Sequence, residues 1–459
     1  MKLLSPHTAH DIIHSGLSYG ADFVDLFIEK TQSELMVFKN SRAEDIQSGT
    51  HFGIGIRLIH GEETLYGHTN STEREELLRI TSLLGARIGK KNLPKNINFE
   101  TSHFPRIPAL EDVEMDPAYK LFLLKNIDDR FRKNSKVIQV MLNLIKKNQF
   151  VEIYNSEGLV ASDVRPYIRL FHHLVMKDGN FQSEAFHGPG AFGGWSFLDT
   201  LNQEQICETL LKQGTTMLYA PPCPGGKMPV IIDNGFGGVI FHEACGHLLE
   251  TTSVEKKASV FWDKLGEEIA HPSLTAIDDG TLGGEWGSLT MDDEGMPTQR
   301  TVLIKDGVLK NFISDRLGEL KTGHKRTGSG RKQSYKFAPA SRMRNTFIQN
   351  GSSHNDDIFS SVAHGLYAKK MGGGSVDPST GQFNFSVQEG YIIKDGKITT
   401  PVKGATLIGT GPEVLRKISM VGQDLKLMAG MCGSVSGSIP TTVGQPLIKV
   451  DEILVGGEA

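Results

Sequence analysis

Apolar and polar positions along the first half of the chain alternate between two periods. Residues 7–17 carry apolar side chains at helical spacing, and residues 23–28 and 34–38 follow as aromatic and β-branched runs that read as strands. Residues 52–59 and 64–68 add two strands on either side of His60-Gly61-Glu62, and residues 71–88 return to helical spacing. Residues 93–114, with Pro94, Pro105 and Pro108 among scattered charges, hold no sustained period and read as a connector. A second pass of the same kind starts with a helical stretch at 117–132. It continues through strand patterns at 137–144, 150–154, 167–176 and 181–187 to a closing helix at 201–218. The order of elements repeats, but the residues do not.

Ala220-Pro-Pro-Cys-Pro-Gly-Gly226 ends this pattern, because proline removes a backbone donor and fixes φ, so neither a helix nor a central strand passes through it. Beyond it, short apolar runs alternate with glycine turns. Residues 302–304 before Asp306-Gly307 and 391–393 before Asp395-Gly396 predict hairpins, since Asp-Gly supplies the positive φ angles of a two-residue turn. The expectation is an α+β chain in four parts. A helix-plus-antiparallel-sheet unit at 1–92 is joined by the connector 93–114 to a second such unit at 115–219, and a β-rich C-terminal domain with inserted helices occupies 227–459.

Charge and length narrow the function. At 459 residues the chain buries several cores, and 49 basic against 53 acidic side chains leave a formal charge of −4, with no general pull toward nucleic acid or acidic membranes. The opening Met1-Lys-Leu-Leu-Ser-Pro6 has no apolar stretch behind it, and no run approaches the ~18 residues that span a bilayer. These features predict a soluble cytoplasmic protein with no membrane contact and no direct nucleic-acid binding. The four cysteines, Cys207, Cys223, Cys245 and Cys432, form no CxxC pair, so a disulfide framework is not expected.

The densest candidate chemistry is His242-Glu243-Ala-Cys-Gly-His247-Leu-Leu-Glu250, which follows an apolar strand at 229–232 and a glycine-rich turn. In a His-Glu-x-x-His helix the two histidines are offset by ~40° and reach one zinc ion. Here they are five apart, an offset of about 140° in a regular helix. A π-type turn, or helix termination at Gly246, is needed to bring the rings together. If both bind a metal, Glu243 stands beside it as a base for a bound water, and a third ligand is required. Cys432, in what reads as a tight glycine loop, Glu250 and Cys245 all compete for that place. The most basic stretch, 321–336, reads as a solvated loop; its functional alternatives are a cradle for phosphate or a nucleic-acid backbone and, in a peptidase, contact to a peptide's carboxyl terminus. His172 and His173 point to opposite faces of a strand and are assigned to no site.

Beyond this motif, a series of C-terminal segments resembles the TldD branch of the TldD/PmbA family in the family's own order. They are Phe236-Gly-Gly-Val-Ile-Phe-His-Glu-Ala-Cys-Gly-His247, Asp278-Asp-Gly-Thr281, Met291-Asp-Asp-Glu-Gly295, Ile313-Ser-Asp-Arg316, Arg342-Met-Arg-Asn-Thr346, Glu389-Gly-Tyr391, Pro401-Val-Lys-Gly404 and Met431-Cys-Gly433. The N-terminal units resemble the family's first two domains more loosely. The resemblance implies a zinc-dependent peptidase acting on short or unfolded peptides. It implies one Zn2+ per chain held by His242, His247 and Cys432, with Glu243 as general base and Cys245 in a packing role. It also implies a dimer, either of this chain or with a PmbA/TldE-like subunit that lacks the histidine motif. The competing expectation is a non-catalytic peptide-binding or nucleic-acid-associated regulatory subunit.

Overall fold

The computed structural model describes residues 2–89, 93–94 and 96–457; the boundary expected at residue 92 and the chain ends at 1 and 459 lie outside the described residues. Residues 23–28 and 34–38 are parts of one strand, Phe23–Lys39. Its polar middle stays in the ladder because the buried Glu29 carboxylate accepts hydrogen bonds from Thr31 (2.6 Å), Gln149 (3.0 Å) and the Tyr335 backbone N–H (2.8 Å). The strand pairs with Arg42–His60 on one side and with Val137–Asn155 on the other, so both N-terminal units contribute to one eight-stranded sheet. Val137–Asn155 likewise merges two expected strands, and it pairs with Leu159–Asp178.

Helices Pro6–Ser18 and Arg74–Ile88 cover one part of this sheet and Pro117–Arg132 and Gln203–Tyr219 another. Each pair completes its own apolar core, one around Ile12, Leu26 and Ile56 and one around Leu124, Leu142 and Leu210. The connector is tied down along the sheet. Glu100–Thr101 pairs with Leu159 and Val160, and Leu110 exchanges backbone hydrogen bonds with Phe192 and Gly194.

In the C-terminal region, strands His364–Asp377, Gly226–Ile232, Ile448–Gly456, Thr406–Thr410 and Gln382–Lys394 pair in succession, and the last returns to pair with the first. This closed ring encloses an apolar core that includes Ile240, Phe241 and Ala244 of a short helix, Val239–Ala244. A six-stranded sheet stands beside it and ends in the ribbon Gly437–Gln445 and Lys426–Ser434, so the last strand is an edge. The predicted hairpins form as expected, with Asp306 and Gly307 at φ 49° and 81° and Asp395 and Gly396 at 48° and 73°.

Buried ion pairs join the N-terminal sheet to this domain. Arg57 donates to Asp25 (2.9 Å) and, across the junction, to Glu294 (2.7 Å); Arg165 donates to the Met291 carbonyl (2.8 Å) and pairs with Asp293. Charges removed from water in this way hold their geometry closely, since leaving one unpartnered costs about 3–5 kcal/mol. The basic stretch departs from expectation here: residues 327–332 are buried in the junction, held by hydrogen bonds from Gly330 N–H to Asp292 and from Lys332 N–H to Asp293, so this part is no solvated loop.

Candidate metal centre

The histidine motif begins as the helix Val239–Ala244, which buries Ile240 and Phe241 and presents His242 and Glu243 at its C-terminal end. The helix stops one residue before the expected point. Cys245 leaves helical geometry (φ −138°, ψ −49°), and Gly246–Leu249 resumes as a single 3-10 turn that carries His247 round toward His242. The ring centroids come to 4.9 Å. Gly246 does not supply a positive φ; it supplies room, because a Cβ there would sit 2.1 Å from the Met343 sulfur.

Cys432 reaches the same place from the edge strand Lys426–Ser434, where it pairs with Ile439; it stands in a strand and not in the expected loop. Its Sγ lies 3.3 Å from Nε2 of His242 and 3.3 Å from Nε2 of His247, and one donor atom from each residue falls within 4.8 Å of the others. Nitrogen and sulfur donors that share a tetrahedral zinc, with bonds of ~2.0–2.3 Å, stand about 3.5 Å apart, so this donor set fits a zinc ion. The charges agree with the geometry. Burial alone would raise the Cys432 thiol, but the adjoining His242 and His247 rings overturn this and hold it down at about 3, as a thiolate. For His247, burial favours the neutral ring, yet Glu250 and Cys432 outweigh it and hold the group well above its usual value.

A second layer fixes these groups. Glu250 Oε2 lies 2.9 Å from His247 Nδ1, which turns Nε2 toward the sulfur, and its other oxygen accepts from the Met343 N–H at 3.2 Å. The fully buried Arg342 donates to the Cys432 carbonyl (2.6 Å), to Ser436 Oγ (2.9 Å) and to the Gly437 carbonyl (2.9 Å), clamping the turn of the ribbon that bears the cysteine. Arg342 was legible only as a member of a family segment, and nothing in its spacing marks it as a clamp. Glu243 directs its carboxylate to 3.8 Å from His247 Nε2 and keeps its side chain 19% exposed, within reach of solvent water.

The competing third-ligand candidates fall elsewhere. Glu250 stands behind His247 and does not converge with the three donors. Cys245 is fully buried in the apolar core, and burial raises its thiol well above the usual value, so it is a packing residue. His172 bonds to the His187 carbonyl and to Gln203, and His173 pairs with Glu184. Glu250→Gln is therefore expected to keep the fold while weakening metal affinity about 10–100-fold, because the ring loses its charged anchor. Competition against a chelator of known affinity measures this, and unchanged affinity would contradict the anchoring role.

Sequence profiles described as PmbA/TldA metallopeptidase domain 1, central domain and C-terminal domain match residues 24–83, 106–218 and 225–457. A protein named Metalloprotease TldD homolog from Haemophilus influenzae is 36% identical, covering 99% of this chain and 97% of its own. One named Zinc metalloprotease TldD homolog, from Saccharolobus solfataricus, is 25% identical over 95% of this chain and 97% of its own. The crystal structure of TldE from Thermococcus kodakarensis shares the fold, with a TM-score of 0.77 at 19% identity over 98% of this chain and 100% of that one. No helix among the described residues is long and apolar enough to cross a membrane.

Proposed function

Since the chain belongs to the PmbA/TldD metallopeptidase family, we propose that it is a zinc-dependent peptidase that hydrolyses short or unfolded peptides. One observation carries the reading: His242 and Cys432, 190 residues apart, converge with His247 on one point, with a carboxylate beside it. His242, His247 and Cys432 hold the ion, one per chain. When bound, zinc supplies Lewis-acid polarisation of the scissile carbonyl and an acidified water.

The remaining work falls to this chain's own side chains. Glu243 accepts the proton of the attacking water at its carboxylate and returns it to the leaving amine, the two transfers that turn an amide and water into a carboxylic acid and a free amine. Glu250 keeps His247 in the tautomer that leaves Nε2 free to coordinate, and Arg342 holds Cys432 at its post. A partner belongs to the reading as well, either a second copy or a TldE-like chain. The rival, a non-catalytic peptide-binding or nucleic-acid-associated subunit, gives no account of a carboxylate set beside two convergent imidazoles and a thiolate. Stripping metal with a chelator is expected to abolish cleavage of an unstructured peptide pool, and added zinc to restore it. Cleavage that persists after complete metal removal would contradict the proposal.

A further inference from the structure

Strand alternation brings one row of cations to the junction. On Leu159–Asp178, residues Arg165, Tyr167 and Arg169 share a face, and Lys147 of the neighbouring strand is paired with Tyr167 on that same face. Opposite them, the buried part of the basic stretch contributes Arg331 and Lys332. These five cations line a cavity of about 370 Å³ whose only acidic lining residue, among the described residues, is Asp293. Asp293 is already engaged, by the Arg165 guanidinium and by the Lys332 backbone N–H.

The other cations have no carboxylate of their own within the cavity. Arg169 donates to the Gly188 and Ala429 carbonyls, and Arg331 to the Met343 and Pro440 carbonyls; such contacts orient a guanidinium without neutralising it. Lys332 reaches the Tyr66 hydroxyl at 3.4 Å. Among the described residues, Lys147 makes neither a side-chain hydrogen bond nor an ion pair, and burial lowers its pKa from the usual lysine value. The nearby Glu29 is occupied by Thr31, Gln149 and Tyr335. Arg331 is buried, and Lys147 and Arg169 are half-buried; taking cations out of water without counter-charges is costly, and an anion from outside would relieve that cost.

Position and shape narrow the anion. Met431 and Ile439 wall the cavity, one adjacent to Cys432 in the chain and the other its cross-strand partner, so cavity and candidate metal centre share one ribbon. Tyr167 and Trp286 form an apolar side, and Trp286 is fixed by its Nε1 on the Gly430 carbonyl (2.8 Å). Charge on one side and an apolar wall on the other match the end of a peptide chain.

We propose that this cavity is a subsite for the terminal carboxylate of a bound peptide, with Lys147 and the Arg169 and Arg331 guanidinium groups facing the carboxylate and Tyr167, Trp286 and Ile439 receiving the last side chain. The inference rests on the peptidase reading and adds to it a preference for peptides that end in a free carboxylate.

The test uses the full metal-loaded chain carrying Glu243→Gln, so that peptides survive the measurement. Fluorescence anisotropy compares a short peptide labelled at its amino end and ending in phenylalanine as free acid, the same peptide as terminal amide, and an amide with glutamate as the penultimate residue. The free acid is expected to bind about tenfold more tightly than either amide, as charge-assisted hydrogen bonds predict. Adding Lys147→Gln is expected to bring that ratio close to one, and Lys147→Arg to restore it, with Arg169→Gln as a second variant. Equal binding of acid and amide, or a preference unchanged in both Gln variants, would overturn the proposal. A glutamate-containing amide that binds as tightly as the free acid would overturn the terminal assignment. Because binding is read and not turnover, a parent protein that fails to hydrolyse peptides is a separate result.

Discussion

Glu243→Gln is expected to lower kcat on a short unstructured peptide by about 10²–10⁴-fold, the usual contribution of a positioned general base, while metal content stays unchanged. The substitution keeps the size and shape of the side chain and removes only its capacity to accept a proton. Glu243 is not among the converging donors, and its carboxylate reaches only to 3.8 Å from His247 Nε2, so the ion has no reason to leave. Steady-state kinetics beside elemental analysis separates the two effects. Retained kcat would remove Glu243 from the chemistry, and lost metal would make it a ligand.

Cys432→Ala is expected to do the reverse and empty the site. Two imidazoles would remain where a thiolate held the charge balance, and the loss of affinity should exceed the 10–100-fold typical of an outer residue. Hydrolysis falls with the metal. The strand itself has reason to survive, because Arg342 grips the backbone carbonyl of residue 432 and not its sulfur. Cys245→Ala is the matched control: that thiol is buried in the apolar core three residues after His242, and its removal should leave metal content intact. Metal mass spectrometry on the two variants decides between them, and loss of metal in Cys245→Ala alone would overturn the ligand set.

Much of this was legible in the sequence because it depends on local rules. Asp306-Gly307 and Asp395-Gly396 announce their turns through backbone conformations few other residues adopt, and residues 117–132 predict a helix whose bounds are those of Pro117–Arg132. The five-residue histidine spacing required a break in the helix, and the chain supplies one at Cys245. What stayed hidden is nonlocal. Polar residues 29–33 read as a gap between strands because their hydrogen-bond partners, Gln149 and Tyr335, lie more than a hundred residues away. For the same reason the edge-to-edge pairing of the two N-terminal units does not show in the sequence. Glu250 was legible as a metal-ligand type but not as the group behind His247, because distance in sequence does not say on which side of a ring a carboxylate lies. Residues 327–332 read as a solvated loop from their charge, and only the acidic partners Asp292 and Asp293 explain their burial.

The central claim is that His242, His247 and Cys432 together hold a catalytic zinc. Zinc K-edge X-ray absorption on the purified full chain tests it most directly. The account predicts about one zinc per chain with a single sulfur scatterer at ~2.3 Å and the remaining nitrogen and oxygen scatterers at ~2.0–2.2 Å. A first shell of nitrogen and oxygen alone, or no stoichiometric metal after gentle purification, would contradict it.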